Sequence, residues 1–214
     1  MKALFSEPTI RYCEEATSWV VKRPYYAISN FAFFISGVAI LIKGNGSKLS
    51  RIFSAMAITI GLFSLIYDST YTYLAQLFDL SGMMVFVNVL LYLNLKNLFR
   101  AKNLIIAQIL LFILSLAAII NFQGYSGDIV FGIYVVAVVV SEIYLIKTKI
   151  HTNLRKWLMP LSIFIIGFLI WMLDSQKILC SPIGLFNGRA IFHYLNAITI
   201  YQLYGFYNLQ KELK

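Results

Sequence analysis

Charge is scarce in this chain: Asp, Glu, Lys and Arg make up 13% of 214 residues, against about a quarter in a soluble domain. So few ions cannot keep a surface of this size in water, which excludes an ordinary soluble globular protein. Histidine is scarcer still, with only His151 and His193. A hydrolytic zinc held by three histidines and a water therefore cannot be built from this chain. The sequence has no H-E-x-x-H, Walker A loop, G-x-S-x-G elbow or C-x-x-C to suggest other chemistry. It also lacks low-complexity segments and internal repeats. Its first 22 residues carry Glu7, Arg11, Glu14 and Glu15 where a cleaved signal peptide would need an apolar run, so the first apolar segment is expected to direct insertion itself.

Apolar residues are what the chain has in excess, at 60%, with a mean hydropathy of +0.77. Runs too long for strands lie near 25–42, 52–67, 80–95, 104–120, 129–146, 157–173 and 190–207. Each approaches the roughly 20 residues that cross a bilayer as a helix. The spacing predicts an all-α integral membrane protein of about seven transmembrane helices, one domain over residues 1–214 with 1–22 as an outer N-terminal segment. Short polar connections follow at 43–51, 123–128 and 148–156. The short loops suggest a bacterial inner membrane.

Orientation follows from the basic residues, which cytoplasmic loops retain. With the N-terminus outside, Lys43, Lys48, Arg51, Lys96, Arg100, Lys102, Lys147, Lys149, Arg155, Lys156, Lys211 and Lys214 face the cytoplasm. Lys2, Arg11, Lys22, Arg23, Lys177 and Arg189 remain outside, a bias of about two to one. The net charge of +9 is then a property of one membrane side, suited to anionic headgroups rather than to nucleic acid. The aromatic content of 16% is accounted for by interfacial belts and helix packing.

Ionisable groups at helix ends that face other helices are costly in a membrane and tend to be functional. Ser64 and Asp68, four apart, share one face at the outer end of the second span. Asp79 is expected to open the third span, and Asp174 closes the sixth. Arg189 and His193, again four apart, share a face at the outer start of the seventh. These groups are either interfacial helix caps or the lining of one polar pocket formed by Asp68, Asp79, Asp174, Arg189 and His193. For a metal the best mixed set is His193 with Asp68 and Asp79, but Arg189 would place a positive charge beside the cation. An Arg189–Asp68 ion pair is the simpler arrangement. Cys13 and Cys180 both fall on the outer side, where they form a disulfide or stay as two buried thiols.

At these residues the chain resembles the alkaline ceramidase family, within the larger superfamily of seven-helix membrane hydrolases that includes the adiponectin-receptor-like proteins. Tyr12-Cys13-Glu14-Glu15 is similar to the family's W-C-E-E, and Ser29-Asn30 to the S-N of its first helix. Ser64 and Asp68 occupy an S-x-x-x-H, Gln76 and Asp79 a Q-x-x-D. Trp171, Asp174 and Cys180 resemble a W-x-x-D with its following cysteine, and Arg189 to His193 lies on H-A-x-x-H. The resemblance implies zinc held by three histidines, a ceramide amide as substrate, assistance from Ser64 and Asp79, and a Cys13–Cys180 disulfide. Asp68 and Arg189 stand where two of those histidines would be, leaving His193. At the family's calcium site Glu14 is kept, while Arg11, Ala16 and Arg23 replace oxygen ligands, so calcium is not expected.

Two functions follow as expectations. One is a ceramidase-like hydrolase of lipid amides, with His193, Asp68 and Asp79 on zinc and Ser64 hydrogen-bonding the developing oxyanion. The other is a metal-free lipid-binding or regulatory pseudoenzyme of the same fold, in which Arg189 neutralises Asp68 and Asp79. Charge balance favours the second. Transport or signalling is a weaker third class, since no charge relay inside the spans beyond Glu142 suggests an ion path.

Overall fold

The computed structural model describes residues 4–99, 104–122, 126–151, 153–178 and 184–212. Cys180 lies outside the described residues, as do Lys2, Arg100, Lys102 and Lys214 among the cations assigned to a membrane side. The described chain is all-α, with helices α1 (Pro24–Ser29), α2 (Phe31–Lys43), α3 (Lys48–Thr70), α4 (Tyr73–Phe99), α5 (Leu104–Phe122), α6 (Ser126–Lys147), α7 (Leu154–Ser175) and α8 (Gly188–Glu212). Five segments are long and apolar enough to cross a membrane: Pro24–Lys43, Lys48–Thr70, Tyr73–Phe99, Gly127–Lys147 and Leu154–Ser175. A shorter apolar stretch, Leu104–Ile120, lies in α5. The 25 residues of α8 reach about 37 Å at 1.5 Å per residue, enough for a hydrocarbon core of about 30 Å. The protein is therefore a multi-pass membrane protein, with five candidate spans among the described residues of the seven that hydropathy predicts.

Most helices run past their apolar runs, because polar residues in their end turns find partners elsewhere in the fold. The third span shows this best: α4 begins at Tyr73, so Asp79 sits more than a turn inside it instead of opening it. The first span is one apolar run but two helices. Asn30 interrupts it, donating its side-chain amide to the Tyr26 carbonyl at 3.0 Å, a local bond that competes with the helical ladder. Pro24 supplies the first helical residue of α1, where its missing N–H costs nothing. Ser47 caps α3, its hydroxyl accepting from the Ser50 N–H at 3.2 Å.

The chain divides into two compact units, Leu80–Leu154 and Lys2–Asp79 with Arg155–Lys214. In the second, α2 packs on α3 and α8, and α1 on the same two helices. Small residues permit the close approach, as is usual where lipid gives no hydrophobic drive for helices to associate. A Cβ on Gly37 would lie 2.9 Å from Ile58 Cγ1 and 3.1 Å from the Ser54 carbonyl oxygen. The hydroxyl of Ser36 crosses from α2 to the Ala197 carbonyl of α8 at 2.8 Å. Apolar side chains such as Ile35, Ile42 and Ile166 face outward, as befits a lipid solvent.

In the first unit a polar seam runs through an apolar core of Met84, Leu90, Leu91, Phe131 and Leu145. Asn94 donates to Ser141 Oγ at 3.0 Å, and Ser115 and Tyr134 hydroxyls pair at 3.1 Å. His151 Nδ1 lies 2.7 Å from Glu142 Oε1, with Asn97 Nδ2 3.0 Å from its Nε2. Both Glu142 and His151 are buried. The connection that reads as a solvated basic loop is thus anchored at His151.

Candidate functional site, a buried arginine–aspartate row

Four charges lie in alternation within the second unit. Arg23 precedes α1, Asp68 is in the last turns of α3, Asp79 in α4, and Arg189 in the first turn of α8. Arg23 Nη2 donates to Asp68 Oδ1 at 2.7 Å, and Arg189 Nε donates to the same oxygen at 3.2 Å. Arg189 Nη2 then reaches Asp79 Oδ2 at 3.0 Å. Asn30 Nδ2 occupies the other Asp68 oxygen at 2.9 Å. All four ions are buried, and two of each sign make the row neutral, as a low-dielectric interior requires.

Tyrosine rings enclose the row. Arg23 Cζ lies 4.5 Å from the Tyr71 centroid and 4.6 Å from that of Tyr67, while Arg189 Cζ lies 4.5 Å from Tyr12 and 5.1 Å from Tyr67. Arg23 Nε and Nη1 have no hydrogen-bond acceptor among the described residues, and the ring faces supply the electrostatic compensation. Burial pushes the Tyr12 phenol up to about 12, so this ring stays neutral beside the guanidinium.

His193 lies one turn along α8 from Arg189 and is buried. Its Nδ1 is 2.6 Å from Ser29 Oγ and its Nε2 3.5 Å from Ser64 Oγ. Ser64 also lies 3.5 Å from Arg189 Nη2. Ser64, Asp68, Asp79, Arg189 and His193 are thus brought together, as the paired spacings imply. Asp174 stands apart from the ion row: its Oδ2 accepts the Tyr26 hydroxyl at 2.9 Å and the Cys13 N–H at 3.5 Å. A Cβ on Gly188 would meet Asp174 Cβ at 2.6 Å, so the end of α7 and the start of α8 approach there only because residue 188 has no side chain. Among the described residues no group of three or more His, Cys, Asp and Glu side chains is placed to hold a metal ion.

The N-terminal segment closes over these groups. Cys13 is disulfide-bonded, and Cys180 is the only other cysteine of the chain. Trp171 Nε1 donates to the Tyr12 hydroxyl at 3.3 Å, and the Thr9 N–H donates to Gln76 Oε1 at 2.8 Å. Glu14 caps α1, its carboxylate accepting the N–H groups of Tyr25 and Tyr26, each at 2.9 Å. Arg11 is exposed and pairs with Glu7 at 3.5 Å.

Burial pushes the Glu14 carboxyl above its ordinary value of 4.5, against the pull of those two N–H bonds. The folded state then holds a proton that the unfolded chain has released, so stability should fall as pH rises from 4.5 through the raised folded value. Glu14→Gln should flatten that slope in melting temperature against pH, and should cost about 1–3 kcal/mol at neutral pH because one N–H loses its acceptor. An unchanged slope would assign it to another group.

Sequence reasoning missed Arg23, Asn30 and Ser29 as parts of this site, and Tyr12 and Tyr26 as its walls. The available signal was Ser29-Asn30, three and four residues after Tyr26 and so on its face. For Arg23 it was a cation directly against the first apolar run.

The family model described as Ceramidase matches residues 6–212, nearly the whole chain. No curated protein matches this chain.

Proposed function

We propose, for a chain that belongs to the ceramidase family, a metal-free membrane protein that binds a ceramide-like lipid without hydrolysing it through a metal. One observation carries this reading: Arg189 bridges Asp68 and Asp79, at 3.2 and 3.0 Å, where metal ligands would have to be.

The residues present do not fit zinc. Zinc needs lone-pair donors, and a guanidinium has none. Asp68 already takes two guanidinium groups and an amide, and both nitrogens of His193 face serine hydroxyls. Calcium fits no better, since Glu14 caps a helix, Arg11 is exposed and Arg23 is turned onto Asp68. The family's substrate class supports a two-chain lipid amide as ligand. Because the ion row is already neutral, a neutral headgroup with hydroxyls and an amide suits this site better than an anion would.

Elemental analysis of protein purified without chelator and resupplied with zinc tests the reading. Substoichiometric zinc is the expected result. Stoichiometric zinc that disappears in His193→Ala would return the chain to the metal hydrolases and make ceramide turnover the next assay.

A further inference from the structure

Just before α1 the chain makes a short loop whose tip is apolar and outward. The Thr17 N–H donates to the Lys22 carbonyl at 2.7 Å, Thr17 Oγ1 to the Val21 carbonyl at 3.2 Å, and the Trp19 N–H to Thr17 Oγ1 at 3.3 Å. The loop base is tied to the end of α3: the Lys22 N–H reaches the Ser69 carbonyl and the Arg23 N–H the Asp68 carbonyl, both at 3.0 Å. At the tip Trp19 is 68% and Val20 98% exposed. A loop this well bonded does not turn its tryptophan outward for want of structure.

The tip's level relative to the membrane follows from what holds it. Its base bonds to the last turn of one span, Lys48–Thr70, and runs into the start of another at Pro24, so it sits where two helices leave the hydrocarbon. Ile28 and Phe31 of the first span and Ile66 of α3 are also exposed and apolar towards this end. Tryptophan favours this depth, with its ring in the acyl region and its N–H among headgroups.

We infer that Trp19 and Val20 insert into the bilayer interface and anchor the N-terminal segment there. That segment delivers Tyr12, Glu14 and Arg23 to the buried site, so lipid holds its outer edge while Cys13 and Glu14 hold its inner one. This inference does not depend on whether the site binds metal.

Fluorescence in lipid nanodiscs decides it. Trp157 and Trp171 also emit, so the Trp19 signal is taken as wild type minus Trp19→Phe, a conservative change at an exposed position. Lipids brominated near the glycerol end of the acyl chain are expected to remove about half of that difference signal, with deep bromines and aqueous iodide removing much less. Quenching by iodide but not by bromolipid would put the tip in water and overturn the inference. Protection from both quenchers would equally overturn it, by showing the tip covered by a protein surface.

Discussion

Asp68→Ala is expected to destabilise the protein by about 3–5 kcal/mol, the cost of removing one partner from a buried ion pair. Asp68 holds two guanidinium groups and the Asn30 amide. Without it Arg189 keeps Asp79, but Arg23 loses its one ionic partner among the described residues, where its Nε and Nη1 already lack acceptors. Asp68→Asn should fall close to the alanine variant, because the missing element is charge and not shape. The paired change Asp68→Leu with Arg23→Met should recover most of the loss, since apolar replacement of a whole buried pair is often neutral or better. Denaturation in a fixed detergent reads all three. A catalytic carboxylate would behave otherwise: Asp68→Ala would fold normally and lose only turnover.

The second large effect concerns the return of metal. Asp68→His with Arg189→His supplies the two absent imidazoles beside His193, yet this double variant is expected to be unstable and indifferent to zinc. Arg23 lies 2.7 Å from the Asp68 carboxylate and would then face a cluster of imidazoles with no carboxylate of its own, so a divalent cation would meet a fixed positive charge. Adding Arg23→Gln should remove that obstacle. The triple variant is expected to gain about 2.7 kcal/mol of stability at zinc of about a hundred times its Kd, reversed by chelator. Zinc binding by the double variant alone would show that Arg23 is no barrier.

The spans were legible because lipid imposes a simple test, an apolar run of sufficient length. Their ends were less so: at Tyr73 the helix starts before its apolar run, since Gln76 bonds to Thr9 and Asp79 to Arg189, tertiary partners that a hydropathy window does not see. The pairs Ser64/Asp68 and Arg189/His193 were legible from helical spacing alone. Arg23 was not. Counting basic residues by membrane side treats each as solvated, and this one is buried against tyrosines contributed by the N-terminal segment and α3. Likewise Glu14 read as the remnant of a calcium site, while its structural partners are the backbone N–H groups of α1.

The alternating ion row also sets a timetable for biosynthesis. Arg23 and Asp68 lie 45 residues apart, so they can pair once the second span has left the ribosome. Asp79 depends on Arg189, 110 residues further along, and stays unneutralised until the last helix is made. For the 110 residues between them the growing chain therefore carries one acidic group without its cation, and only the arrival of α8 completes the charge balance.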